Sequence, residues 1–162
     1  MAMTDTTRIQ YIATLEETYK SLQRLTSDLT DDALDFRLGK DEWTIREILA
    51  HMLDDEMFVM RTRMERMMKE ESPQLASHDE KKWYSQRNKT RDEVAQLLGD
   101  FAIQRQASLN IFALLRASEW ERTAYHPEYG QFMAEEWLEH WAAHDTTHIH
   151  QIEHILAVYR SH

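Results

Sequence analysis

The chain contains no cysteine. That excludes disulfides, a thiolate nucleophile and thiolate metal ligands, so any metal would have to be held by imidazole and carboxylate. Glycine and proline are almost as scarce, with 3 Gly and 2 Pro in 162 residues. Tight turns and sheet bends draw on both, so an all-α fold is expected. No apolar run approaches the roughly 20 residues that span a bilayer. Basic residues are in deficit: 19 Lys and Arg against 29 Asp and Glu give a formal charge of −10. Such a balance argues against non-specific binding to nucleic acid or to an anionic membrane. Met1 to Gln10 show no basic stretch followed by an apolar one, so a cytoplasmic location is the expectation.

What is present suits one globular domain over residues 1–162, with 42% apolar and 30% charged residues. Ile9, Ile12, Leu15, Tyr19, Leu22, Leu25 and Leu29 recur every three or four positions and predict a first helix from about Thr6 to Leu29. Thr44 and Glu47 form a capping-box pattern, with Trp43 and Ile48 placed as its hydrophobic staple, and open a second helix toward Met68. Most of the nine Met lie in that helix, where flexible side chains fill irregular core gaps. Glu71-Ser72-Pro73 predicts a break, and residues 74–89 a crossover with a short helix. A second capping-box pattern, Thr90 to Glu93, predicts the start of a third helix, and Ser118 to Gly130 is expected to be a loop. The last helix is expected from about Met133 to Tyr159. Four long helices with one extended connection predict a four-helix bundle.

The residues with chemistry stand at two places. His144 and His148 are four apart, so on a helix their imidazoles share one face, between Trp137 and Trp141 on one side and Ile152 and Ile155 on the other. Imidazoles buried there need partners, and either a metal or core hydrogen bonds would supply them. His140 continues the series, but three such residues span about 12 Å along a helix and cannot readily converge on one ion. A third ligand would therefore come from another helix. His150, His154 and His162 are expected at the surface. His51 lies on the flank of the second helix, where a lone His is more often a structural hydrogen-bonder. Asp55, one turn on, could accept its other N–H.

Two charges interrupt apolar faces, Glu56 on the second helix and Arg105 on the third. Each is costly to bury alone, so a buried Glu56–Arg105 pair is the favoured reading, with Arg63 as another partner for Glu56. The functional alternative makes Glu56 a ligand or base and Arg105 a binder of a substrate anion. Phosphate-loop, dinucleotide-binding, serine-elbow and H-E-x-x-H patterns are absent. The Glu-x-x-His spacing of di-iron bundles is absent too.

Two segments resemble those of a known family. Trp43-Thr44-Ile45-Arg46-Glu47-Ile48-Leu49-Ala50-His51 resembles the W-[ST]-x-R-E-x-x-x-H segment of the DinB-like superfamily of metal-dependent enzymes. His144-Asp145-Thr146-Thr147-His148-Ile149-His150-Gln151-Ile152 resembles its H-x-x-x-H-x-x-Q-I segment, in the same order along the chain. The resemblance implies an up-down-down-up four-helix bundle, commonly a homodimer. It also implies that His51, His144 and His148 are metal ligands, with water completing the sphere. Relatives of that family include S-transferases that use low-molecular-weight thiols and a mycothiol-dependent isomerase. The expected function is therefore a metal-dependent enzyme (Zn, Ni, Fe or Mn) acting on a small molecule, with thiol transfer ahead of hydrolysis. A low-molecular-weight thiol would be the cosubstrate. The non-enzymatic alternative is a metal-binding sensor or interaction module.

Overall fold

The computed structural model describes residues 2–162. Thr4 caps the first helix, α1 (Asp5–Thr26), by accepting from the Thr7 amide at 3.1 Å. Thr30 caps a one-turn helix, α2 (Asp31–Leu34), in the same way. At α3 (Ile45–Asp55) the capping box forms: Thr44 accepts from the Glu47 amide, and the Glu47 carboxylate accepts from the Thr44 amide. These bonds satisfy amides that the first turn leaves without helical partners.

The second long helix is not uniform. Glu56–Met60 form a π-turn between α3 and α4 (Arg61–Lys69). The turn inserts extra residue length and changes the helix phase. Ile45, Ile48 and Met52 can thereby face one core region while Met60, Met64 and Met67 face another. The chain breaks at Ser72, whose φ is +43°. A crossover follows, carrying α5 (Glu80–Gln86).

The third long helix, α6 (Val94–Leu114), begins later than the Thr90 pattern predicts. Thr90 lies instead in a 3-10 turn, Lys89–Arg91, and Glu93 precedes the helix without a side-chain cap bond. Asn88 outcompetes Thr90 for the local role by accepting from the Thr90 amide.

The predicted loop before the last helix is structured. After a 3-10 turn at Ala117–Glu121, β1 (Thr123–His126) pairs antiparallel with β2 (Gly130–Met133). Gly130 supplies the left-handed conformation at the turn, with φ +72°. Strands of four residues show too little alternation to be read from sequence. The helix α7 (Ala134–Arg160) then runs the length of the molecule.

The helices α1, α3–α4, α6 and α7 form an up-down-down-up four-helix bundle, in which α1 packs along α7 and α6, and α3 packs on α6 and α7. Its interior holds two apolar clusters. One contains Leu15, Met60, Met64, Phe112, Trp137 and Trp141, and the other Leu22, Ile48, Met52, Phe101, Ile152 and Ile155. Between them lie four linked buried polar side chains, Thr18, Glu56, Arg105 and Asp145, drawn from all four long helices. Among the described residues, no helix is long and apolar enough to cross a membrane.

Candidate metal centre

The polar layer is an ion-pair network. Arg105 donates from Nε and Nη2 to Glu56 at 2.9 and 2.8 Å. It donates from Nη1 and Nη2 to Asp145 at 2.6 and 3.1 Å, and from Nη1 to the Leu15 carbonyl at 2.8 Å. A guanidinium has five N–H donors, and these contacts engage them all, leaving none for a substrate. Trp141 Nε1 donates to Glu56 at 3.0 Å, and Thr18 donates to Asp145. Glu56 is thus held by three N–H donors from two residues inside the bundle. Asp145, which the helical wheel turns away from the histidine pair, is the third charged member of this network.

Beside this layer three imidazoles converge. His51 Nε2 lies 3.1 Å from His148 Nε2 and 3.3 Å from His144 Nε2. The α3 capping box and the packing of α3 on α7 set this approach, since the two histidine segments are far apart in sequence. Trp43 meets the His51 ring edge-on, with centroids 4.6 Å apart. On the far side of His148, Nδ1–H donates to Gln151 Oε1 at 2.9 Å. That tautomer leaves the Nε2 lone pair pointing at the cluster.

Carboxylates join from two directions. Asp55 Oδ2 lies 3.2 Å from His144 Nε2 and 3.5 Å from His51 Nε2. It faces the convergent nitrogens and not the far nitrogen of His51, which differs from the sequence expectation. One turn of α3 carries its carboxylate past the His51 ring edge into the cluster. Glu80, on the crossover helix α5, brings Oε2 to 3.3 Å from His51 Nε2. His78 approaches Asp55 Oδ1 at 3.5 Å. Neither Glu80 nor His78 carries a sequence signal, because the crossover lies outside both motif segments. Gln151 does carry one, three residues beyond His148 on the same helix.

Protonation in this cluster is uneven. Burial lowers the His51 pKa to about 3, against the pull of Asp55 and with the neighbouring imidazoles adding to the drop. Burial and then the charge of His144 lower His148 to about 4. Burial also opposes charge on His144, but Asp145 and Asp55 outweigh it and raise its pKa to about 9. At 3.8 Å from Nδ1, Asp145 acts on His144 through charge and not through a hydrogen bond. Burial likewise opposes ionisation of Asp55, and the facing imidazoles overcome it and keep its pKa low.

The donor set fits a divalent ion. Tetrahedral ligands at about 2.0–2.1 Å from a metal stand roughly 3.3 Å from one another. His51 Nε2 stands at about that separation from both His144 Nε2 and His148 Nε2, all three rings offer nitrogens within 4.8 Å of one another, and two carboxylates lie alongside. A buried polar atom here, Asp55 Oδ1, has no hydrogen-bond partner among the described residues. A cluster this poorly satisfied by protein donors is the kind that a cation completes.

A cavity of about 120 Å³ opens against the cluster, lined by Asp55, Glu80 and His144 on one side and by Arg63, His126 and Tyr129 on the other. His140 lies at its edge, stacked on Trp137 with centroids 4.9 Å apart. His150, His154 and His162 are exposed.

A family model described as the DinB superfamily matches residues 14–152. The chain belongs to the DinB superfamily. It is 27% identical to the Bacillus subtilis (strain 168) protein named "Putative metal-dependent hydrolase YfiT", over 93% of this chain and 83% of that protein. It is 26% identical to "Putative metal-dependent hydrolase OB0782" of Oceanobacillus iheyensis, over 88% of this chain and 82% of that one. The solved structure of Bacillus subtilis YfiT, described as "a probable metal-dependent hydrolase with an unusual four-helix bundle topology", superposes with a TM-score of 0.86. It shares 22% identity, over 95% of this chain and 88% of that one. At that identity the likeness establishes a shared DinB fold.

Proposed function

We propose that this DinB-superfamily protein is a metal-dependent enzyme acting on a small molecule, with a divalent ion held by His51, His144 and His148. The observation that carries this reading is the approach of His148 Nε2 and His144 Nε2 to 3.1 and 3.3 Å from His51 Nε2, with His144 on the wall of a cavity. Asp55 and Glu80 form a second candidate ligand group with His51, and such carboxylates suit a hard divalent cation better than Cu(I). An ion with an open position lowers the pKa of a bound water or thiol and polarises an electrophile.

The chain's own residues would do the rest. Gln151 holds the His148 ring in its ligating tautomer. The indole of Trp43 braces His51. Glu80 is half exposed, and its Oε2 is placed to take the proton of a nucleophile arriving at the cluster. Burial, with the charge of Asp55 adding, raises the Glu80 pKa and so strengthens it as a base. The interior network keeps Asp145, and through it His144, in register with His51.

Two reactions use this arrangement: transfer of a low-molecular-weight thiol to an electrophile, and hydrolysis. The names of the relatives support hydrolysis, and the family resemblance supports thiol transfer. The test is metal analysis of the purified protein, followed by assay of the metal-loaded form. Consumption of a generic alkylating electrophile with and without an added thiol is compared with hydrolysis of a panel of simple esters and amides. Bound metal near one per chain and turnover lost in His51→Gln are expected. A protein that neither retains nor takes up a divalent ion would overturn the reading.

A further inference from the structure

A second arginine borders the cavity, and its situation is the reverse of that of Arg105. Arg63, on α4, is 8% exposed, yet no carboxylate oxygen among the described residues lies within 4.0 Å of its guanidinium. Its Nη2 donates to the Ala76 carbonyl at 2.8 Å, and its Nε and Nη1 donate to no protein group among the described residues. The guanidinium lies over the Trp137 ring, 5.2 Å from the centroid. A buried cation with no carboxylate in direct contact is costly, and a stacked indole face compensates only part of that cost.

The neighbouring donor sharpens the point. His126 Nδ1 accepts from the Glu128 amide at 3.1 Å, so the neutral ring carries its hydrogen on Nε2. That Nε2 is 3.5 Å from Arg63 Nη2, donor facing donor. Both approach the same acceptor, the Ala76 carbonyl. Trp137 adds no acceptor, and its own Nε1 is engaged by the Met60 carbonyl at 3.0 Å. Arg63, His126 and His144 line the same cavity, so a molecule lying there can touch the histidine cluster at one end and this donor pair at the other.

We infer that Arg63, assisted by His126, binds a carboxylate on the small-molecule substrate while the reacting end of that substrate meets the His51–His144–His148 cluster. This rests on the metal-centred reading above and names the substrate class for it. A planar carboxylate matches the guanidinium fork. A monoanion suits the cavity better than a phosphate dianion, because Asp55, Glu80 and Glu128 also line it.

The test uses the full chain loaded with cobalt(II), whose visible spectrum reports both metal binding and thiol coordination. Mercaptoacetate, 3-mercaptopropionate and 4-mercaptobutyrate are titrated against uncharged 2-mercaptoethanol. The best carboxylate thiol is expected to bind at least about tenfold tighter than 2-mercaptoethanol. Arg63→Gln should bring it down to the 2-mercaptoethanol value, and Arg63→Lys should retain only part of the preference. Circular dichroism and cobalt stoichiometry establish that each variant is folded, and Arg63→Lys decides the matter if Arg63→Gln is not. Cobalt that binds in the wild type with no preference for the carboxylate, or a preference that survives in Arg63→Gln, overturns the role of Arg63 alone. Failure of cobalt to bind at all overturns the metal reading and this inference together.

Discussion

Arg105 grips Asp145 at two points in the bundle interior, Nη1 to Oδ2 at 2.6 Å and Nη2 to Oδ1 at 3.1 Å. Asp145 directly follows His144, so one turn of α7 presents a carboxylate to the interior network and an imidazole to the histidine cluster. Packing and metal geometry are thereby coupled through adjacent residues of one helix.

Breaking that contact unbalances the buried charges: Asp145→Asn leaves Arg105 with Glu56 alone, and Arg105→Met leaves both carboxylates without their cation. Asp145→Asn and Arg105→Met should each lower unfolding free energy by about 3–5 kcal/mol. The double variant should lose less than the sum, because the two residues share one interaction. Urea denaturation of the three variants checks this, and strict additivity would mean that the pair is not coupled.

The same carboxylate predicts acid sensitivity. Burial opposes its ionisation, but Arg105 and the other donors hold the Asp145 pKa well below the ordinary range. A depressed folded-state pKa contributes stability above the unfolded value near 4, and that contribution drains away as pH falls through the folded value. Wild-type stability should therefore decline below about pH 4 more steeply than that of Asp145→Asn. Denaturation midpoints across that range read the difference.

Metal binding at neutral pH should release about one proton. His51 and His148, with pKa values lowered to about 3 and 4, are already neutral, whereas His144, raised to about 9, is charged. Affinity should rise as pH increases toward 9, because the competing proton is then removed from His144. Calorimetry in buffers of different ionisation enthalpy counts the proton, and a count near zero would mean that His144 does not bind the ion in exchange for its proton.

Gln151 makes one side-chain hydrogen bond, to His148 Nδ1. Gln151→Leu should weaken metal affinity by roughly 10- to 100-fold with the helix intact. Competition against a chromogenic chelator measures it.

Removing the ion should lower thermal stability, since ligands that bind only the folded state stabilise it. The midpoint should drop when a chelator is added to the wild type and stay unmoved in the His51→Gln/His148→Gln variant, which has no loaded state to lose.

The helical bundle was legible because composition and periodicity agree. Scarce Gly and Pro, the three-and-four spacing of Leu15 to Leu22 and the Thr44–Glu47 cap are local facts that the structure repeats. The β1–β2 hairpin was not legible, because strands this short are stabilised by their partner and by residues 73–75, which pair with Tyr125. Thr90 misled for a related reason: a cap pattern competes with every other local acceptor, and Asn88 won.

At the candidate site, sequence alone determined which residue types lie one turn apart on a shared helix face: His144 with His148, and His51 with Asp55. Helical periodicity fixes such pairs before anything packs. Tertiary structure decided everything that needed two segments to meet. It brought His51 across to α7, placed Glu80 from the crossover beside it, engaged every donor of Arg105 and left Arg63 with no carboxylate in contact among the described residues. Those outcomes depend on how helices pack and where a crossover returns, and no spacing within a single segment encodes them.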